Sequence, residues 1–274
     1  MEKRIIKNVI FSGSGFKCWG YIGTIQAMNE LVDYQSVEHV VGTSAGSLFG
    51  LYYLLGIQYD FLLDYYTHVD LAKYKDINLC NIATKHCLLE GKAFRDSIKY
   101  LITTKINENT TFQELYTKFK KMFTVCVYNI DLNQPEYFSP TTTPDKKVFD
   151  AIIASSNLPL LFPAYRIGDY DYFDGGFCNN CPSNVVKGGI IFDMCVPPNT
   201  NRSIIYKILD GLVQTVNKYY NPETDVKNKY MVLDERFNDH AMYLNQSYDD
   251  MFTLYMNGYE NSFAAIVDYF KNNE

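Results

Sequence analysis

Residues 37–55 read Val-Glu-His-Val-Val-Gly-Thr-Ser-Ala-Gly-Ser-Leu-Phe-Gly-Leu-Tyr-Tyr-Leu-Leu. Val37 to Val41 is a short β-branched run, and Ser47 to Leu55 is apolar nearly all round, the pattern of a strand followed by a helix packed inside a domain. Gly42-Thr43-Ser44-Ala45-Gly46 joins them, so G-x-S-x-G stands at a strand-to-helix turn, where the motif has mechanical meaning. Such a turn holds the serine in a strained backbone conformation, and Gly42 and Gly46 are needed because side chains there would collide across it. The Ser44 hydroxyl is then presented at a helix N-terminus, where N–H groups and the helix dipole favour developing negative charge. Ser44 is the candidate nucleophile. A small-residue turn without chemistry is the competing reading.

Upstream, Val9-Ile10-Phe11 reads as a buried strand that stops at Ser12-Gly13-Ser14-Gly15. Trp19 to Leu31 reads as a helix, with Ile22, Ile25, Met28 and Leu31 three apart. Strand, helix and strand with so short a connection make a βαβ unit and a parallel pair. The loop Gly13-Ser14-Gly15-Phe16-Lys17 therefore lies beside Ser44 at the carboxyl edge of the sheet. Backbone N–H groups of Gly13, Ser14, Gly15 and Phe16, with that of Ala45, are candidate oxyanion donors. A dinucleotide fingerprint needs G-x-G-x-x-G, but Cys18 occupies the sixth position and the second strand ends without an acidic ribose ligand.

Downstream, helices are expected at Tyr59 to Thr67 and Ala93 to Ile106, inside an irregular stretch suited to a cap over a site. Thr111 with Glu114 forms a capping-box pattern that opens a helix to about Lys121. Strands follow at Phe123 to Tyr128 and, as a hairpin partner, Glu136 to Ser139. Val148 to Ala154 reads as a helix, Tyr170 to Phe173 as a strand ending at Asp174-Gly175-Gly176, and Ile190 to Phe192 as a short strand. The spacing of Ile204, Ile208, Leu212 and Val216 and the run from Tyr248 to Phe270 predict a helical C-terminal part. Asp174, at a strand end, can project into the pocket of Ser44 and accept its proton directly if burial raises its pKa. Of His39, His68, His86 and His240, only His240 lies late enough for a Ser-Asp-His order, and its surroundings have no turn signature. Cys178 and Cys181 form a C-x-x-C without a second pair at zinc spacing, and are read as packing cysteines.

Composition sets the outer limits. With 47% hydrophobic and 20% charged residues the chain of 274 is no disordered or coiled-coil sequence, and no composition break marks a linker. A net charge of -6 gives no footprint for nucleic acid and no general attraction to anionic bilayers, so membrane contact has to be hydrophobic. No stretch is long and apolar enough to span a bilayer. Seven scattered cysteines fit a reducing compartment, and a cytoplasmic protein is expected. The 24 Tyr and 18 Phe point to wet apolar boundaries, and Tyr52, Tyr53, Tyr59, Phe61, Tyr65 and Tyr66 crowd the region after the Ser44 turn, as core or as lipid-facing surface.

Several separated blocks together resemble the patatin-like phospholipase family. Phe11 to Lys17 is similar to its Gly-rich oxyanion loop ending in a basic residue, and Gly42 to Gly46 to its nucleophile elbow. Ala154-Ser155-Ser156-Asn157-Leu158-Pro159-Leu160-Leu161-Phe162-Pro163 is similar to its helix-to-loop segment, and Asp174-Gly175-Gly176, followed by Asn180 and Pro182, to its aspartate motif. The similarity covers roughly residues 9 to 190, with Ser14 and Cys18 standing where the family has glycine. It implies an α/β three-layer sandwich with a mostly parallel central sheet flanked by helices. The catalytic core would span about residues 5–195 with a cap-like insertion at about 56–122, and residues 196–274 would be a helical part of the same domain. It also implies a Ser44–Asp174 dyad acting on phospholipid or other acyl-glycerolipid esters at a peripheral membrane surface, without histidine, metal or cofactor. Lys17 would anchor the loop or help fix a phosphate. A catalytically weak lipid-binding or regulatory protein is the alternative.

Overall fold

The computed structural model describes residues 3–69, 74, 76–77, 84, 87–194, 228–233 and 247–273. Val9, Ile10 and Phe11 are essentially without solvent contact, as a continuous apolar run must be when both faces of its strand are covered. They form β1 (Asn8–Phe11), from which the chain passes through a short 3-10 turn at Gly15–Cys18 into α1 (Trp19–Leu31) and returns as β2 (His39–Thr43), parallel to β1 with Phe11 opposite Gly42. The strand starts two residues later than the apolar run, because Val37 closes a turn onto Tyr34 and pairing with β1 begins at His39. Next come α2 (Ala45–Leu54), α3 (Tyr59–His68), α4 (Lys92–Thr103) and α5 (Phe112–Phe119). At the start of α5 the Thr111 and Glu114 side chains each receive the other's backbone N–H, the reciprocal cap expected there. β3 (Met122–Asn129), β4 (Gln134–Phe138), α6 (Val148–Ser155), β5 (Tyr165–Ile167), β6 (Tyr170–Asp174), β7 (Ile190–Asp193), β8 (Lys229–Met231) and α7 (Tyr248–Asn273) follow. The helix expected from Ile204 to Val216 lies outside the described residues.

Among the described residues the strands run in the order β5-β6-β3-β2-β1-β7-β8, with β4 also on β3. Pairs from β3 across to β8 are parallel; β4 and β6 meet β3, and β5 meets β6, antiparallel. The sheet is mixed, mostly parallel and flanked by helices. One register detail positions the site. β4 takes β3 from Val125 to Asn129 on one edge, so β2, which pairs with Met122 to Cys126, and β6, which pairs with Val127 to Asn129, share the other edge. They approach from opposite directions and meet end to end, with Thr43 opposite Cys126 and Asp174 opposite Val127. The last residues of β2 and β6, far apart in sequence, are neighbours for that reason.

On one face α1 and α7 cross at backbone contact. A Cβ on Gly23 would lie 2.2 Å from the Tyr255 carbonyl oxygen, and one on Gly258 2.2 Å from that of Gly20. Thr24 Oγ1 and Ser262 Oγ share a hydrogen bond of 2.8 Å at the crossing, so the two buried hydroxyls satisfy each other.

Candidate active site

β2 ends at Thr43 and α2 begins at Ala45, which leaves Ser44 to make the turn alone at φ 54° and ψ -134°. A side chain in that region is under strain, and the surrounding bonds hold it there. Ser44 N–H donates to Ser155 Oγ at 2.8 Å, and Ser155 Oγ donates onward to the Cys126 carbonyl at 2.6 Å. The Ser44 carbonyl accepts from Ser47 Oγ at 2.6 Å and from the Ser47 N–H at 2.9 Å. Glycine is required on both sides of the turn: a Cβ on Gly42 would lie 2.5 Å from Ser47 Cα, and one on Gly46 2.2 Å from the Ser12 carbonyl oxygen.

Ser44 Oγ donates to Asp174 Oδ2 at 2.5 Å, and the Gly176 N–H donates to Asp174 Oδ1 at 2.6 Å. Asp174 is 1% exposed, and burial pushes its pKa up to about 7 against the lowering effect of those two donors. The carboxylate is thus basic enough to take a proton near neutral pH and is aimed at the hydroxyl that has one to give. Gly175 allows β3 this close, since a Cβ there would lie 2.2 Å from the Cys126 carbonyl oxygen. Asp174 is fixed from behind by its own N–H, which donates to the Asn157 carbonyl at 3.0 Å.

The Gly-rich loop is clamped onto the aspartate segment. Gly13 N–H donates to the Asn180 carbonyl at 2.8 Å, and Asn180 Nδ2 donates to the Gly13 carbonyl at 3.1 Å. This corrects one expectation: the Gly13 N–H is committed to Asn180 and is not presented as an oxyanion donor in this conformation. The first bond of the following turn runs from Lys17 N–H to the Ser14 carbonyl, so the N–H groups of Ser14 and Gly15 precede it with no carbonyl behind them in the turn. Ala45, first in α2, is in the same position. Gly15, Phe16 and Ala45 line one cavity with Ser44. Lys17 is buried, its Nζ donating to the Met194 carbonyl at 2.6 Å, so it anchors the loop to the end of β7 and does not face a phosphate.

That cavity encloses about 830 Å³, its open mouth included. Its walls are chiefly apolar: Leu48 and Phe49 from α2, Phe94 and Ile98 from α4, and Leu158 and Phe162 from the segment after α6. Tyr52 and Tyr53, candidates for a lipid-facing surface, are instead core residues at 0% and 2% exposure, while Phe61 is exposed. They face inward because α2 is covered on all sides. Of the histidines, His39 binds Thr124 Oγ1 through Nε2 at 2.8 Å and is held neutral by burial, which lowers its pKa to about 4. His68 lies on the surface beside Asp64. His86 and His240 are outside the described residues. Cys178 packs with Cys126 and Tyr128. Sequence reasoning missed the positioning roles of Ser155 and Asn180; both stand in the quoted segments, but their partners are backbone groups distant in sequence.

Residues 9–186 match the family model described as patatin-like phospholipase. A protein named Probable lipid hydrolase 463L, from Invertebrate iridescent virus 6, is 25% identical over 194 residues, covering 68% of this chain and 64% of that protein, so the chain spans just under two thirds of that relative. VipD from Legionella pneumophila superposes with a TM-score of 0.62 at 14% identity, over 97% of this chain and 67% of that one. The type III effector ExoU superposes with a TM-score of 0.55 at 12% identity, over 97% and 54%.

Proposed function

The chain belongs to the patatin-like phospholipase family, and from that premise we propose that it is a lipid acyl hydrolase working through a Ser44–Asp174 dyad. The observation that carries the reading is the 2.5 Å hydrogen bond from a strained serine at a helix N-terminus to a buried, upward-shifted carboxylate, at the edge of an apolar cavity. Asp174 takes the Ser44 proton as Oγ attacks the ester carbonyl, and the N–H groups of Ser14, Gly15, Phe16 and Ala45 meet the oxyanion. The proton then passes from Asp174 to the leaving alkoxide. In the second half Asp174 accepts a proton from the attacking water and hands it to Ser44 Oγ as the acyl–Oγ bond breaks, which releases the acid and restores the dyad. The acyl chain occupies the apolar cavity, which suits phospholipid or other acyl-glycerolipid esters presented by a membrane surface.

The test is turnover of a short-chain nitrophenyl ester and of mixed phospholipid vesicles, followed by lipid mass spectrometry. Ser44→Ala and Asp174→Ala are each expected to lower turnover by about a thousandfold or more, and both together no further, as for residues acting as a unit. Activity that survives Ser44→Ala would overturn the assignment of the nucleophile. A wild type inert on every ester would leave the chain a lipid-binding member of the family.

A further inference from the structure

β2 and β6 both pair with β3, which sets where their tips lie along it but does not join the tips to each other. A bond just behind the dyad does so. Thr43 Oγ1, on the last residue of β2, donates to the Asn179 carbonyl at 2.9 Å, and both residues are without solvent contact. Asn179 is itself tied to the aspartate turn, its N–H donating to the Gly175 carbonyl at 2.8 Å. Thr43 adjoins Ser44 and Gly175 adjoins Asp174, so these two bonds and the one from Ser44 to Asp174 close a ring.

The acceptor in this ring is held in place from further out. Asn179 Nδ2 donates to Tyr137 OH on β4 and to Asn184 Oδ1, both at 2.8 Å. Asn180 clasps Gly13, so two consecutive asparagines hold the Gly-rich loop and the tip of β2 against the aspartate turn. A valine at position 43 would have nearly the shape of threonine but nothing to donate to the buried Asn179 carbonyl. The strand tip and the turn would then be free to draw apart, taking Ser44 Oγ away from Asp174. A misplacement of about 1 Å at reacting atoms can cost about a hundredfold in rate. Of the titratable groups around the ring, the Cys126 thiol, bonded to the Thr43 hydroxyl, and the Tyr137 phenol are pushed upward by burial and stay neutral near pH ~7, where Asp174 titrates.

We propose that Thr43 is a positioning residue of the Ser44–Asp174 pair: its hydroxyl, through the Asn179 carbonyl, latches the tip of β2 to the aspartate turn and holds Ser44 Oγ at hydrogen-bonding distance from Asp174. Its effect on rate rests on the dyad reading, whereas its effect on the geometry of the pair does not need turnover. A slack latch has a signature in Asp174 itself. Ser44 Oγ is one of the two donors that lower the carboxyl's pKa against burial, so loss of that contact raises it.

The experiment compares the full wild-type chain with Thr43→Val, Thr43→Ser and Thr43→Ala, the last two differing from each other only by the hydroxyl. Asp174 is titrated by carbon-13 NMR of its side-chain carboxyl, with Asp174→Asn to assign the signal. In parallel, kcat and KM are measured on a soluble nitrophenyl ester at a temperature where every variant is folded. In Thr43→Val and Thr43→Ala the Asp174 midpoint is expected above the wild-type value of about 7. Their kcat should fall by about ten- to a hundredfold with KM within about twofold of wild type. Thr43→Ser should recover most of both changes, although it gives up the same methyl as Thr43→Ala. The proposal is overturned if Asp174 titrates in Thr43→Val and Thr43→Ala as in wild type, or if Thr43→Ser departs from wild type as far as Thr43→Ala. Should Thr43→Val fail to fold, the serine and alanine variants decide it. A wild type that turns over no ester overturns the dyad reading alone, since the latch is then judged on the titration.

Discussion

Asp174 concentrates the trade between stability and chemistry in one side chain. Its pKa stands at about 7 in the folded state and near 4 in the unfolded chain, so between those values the native state holds a proton that the unfolded state has lost. Its contribution to stability therefore falls as pH rises from about 4 to about 7, where the buried group becomes charged. An amide in its place cannot ionise, so the Asp174→Asn variant should gain in melting temperature over wild type on going from pH ~5 to pH ~8. A gap that stays constant would mean that the carboxyl is not shifted upward. Activity has the opposite sign under the proposed dyad: Asp174 as base would have to be ionised, so kcat/KM on a soluble ester should climb through pH ~7 to a plateau. Ser155 makes a second prediction. It holds Ser44 N–H and the Cys126 carbonyl together, and Ser155→Ala leaves both buried groups unpaired. A loss of about 1–3 kcal/mol in denaturant unfolding is expected. kcat should fall with it, because the strained turn loses its brace.

At the scale of elements, the site depends on strand ends and close approaches. β2 and β6 converge on one edge of β3, and α2 starts so near β1 that Gly46 has no room for a Cβ. The α1–α7 crossing works in the same way and holds none of the hydrogen bonds described for Ser44, so it tests packing. Gly258→Ala would put a methyl 2.2 Å from the Gly20 carbonyl oxygen, and the helices must separate. Overpacking of this kind costs about 1–3 kcal/mol, or about 2–5 °C in Tm for a chain of this size. A melting curve checks it. Turnover per folded molecule at low temperature should stay within about twofold of wild type, since none of the bonds around Ser44 passes through that crossing.

For the molecule as a whole, the proposed work at a lipid surface would be governed by the net charge of -6 and the apolar cavity together. Leu88 and Leu160 are 45% and 55% exposed and are joined by a backbone hydrogen bond of 3.0 Å from Leu88 N–H to the Leu160 carbonyl. Next in sequence to Leu160, Leu161 and Phe162 belong to one cluster with Phe16 and Leu158, and Phe16, Leu158 and Phe162 line the cavity with Ser44. If the proposed docking uses these exposed leucines, it proceeds by burial and not by charge. Leu160→Asp is accordingly expected to lower turnover of vesicle phospholipid by about tenfold or more, while a soluble short-chain ester is turned over as by wild type. Raising the salt concentration or the anionic lipid fraction should leave wild-type vesicle turnover nearly unchanged. A strong dependence on either would place docking on charged residues instead.

Local sequence determined the parts. The β-branched run into Gly42-Thr43-Ser44-Ala45-Gly46 and the periodic apolar residues after it fix a strand, a strained turn and a helix, because each depends on neighbours within a few positions. For the same reason the Thr111–Glu114 cap and the Asp174-Gly175-Gly176 strand end could be read directly. The two-residue shift of β2 could not, since it depends on where Asn8 offers a pairing partner. Nor could the inward turn of Tyr52 and Tyr53, which follows from what covers α2. The tertiary structure alone decided that Asp174 meets Ser44, that Gly13 is spoken for by Asn180 and that Lys17 anchors β7. It also decided that the buried Tyr52 and Tyr66 hydroxyls meet each other. Each is a contact between segments many residues apart, set by strand register and by burial, and no local pattern encodes either.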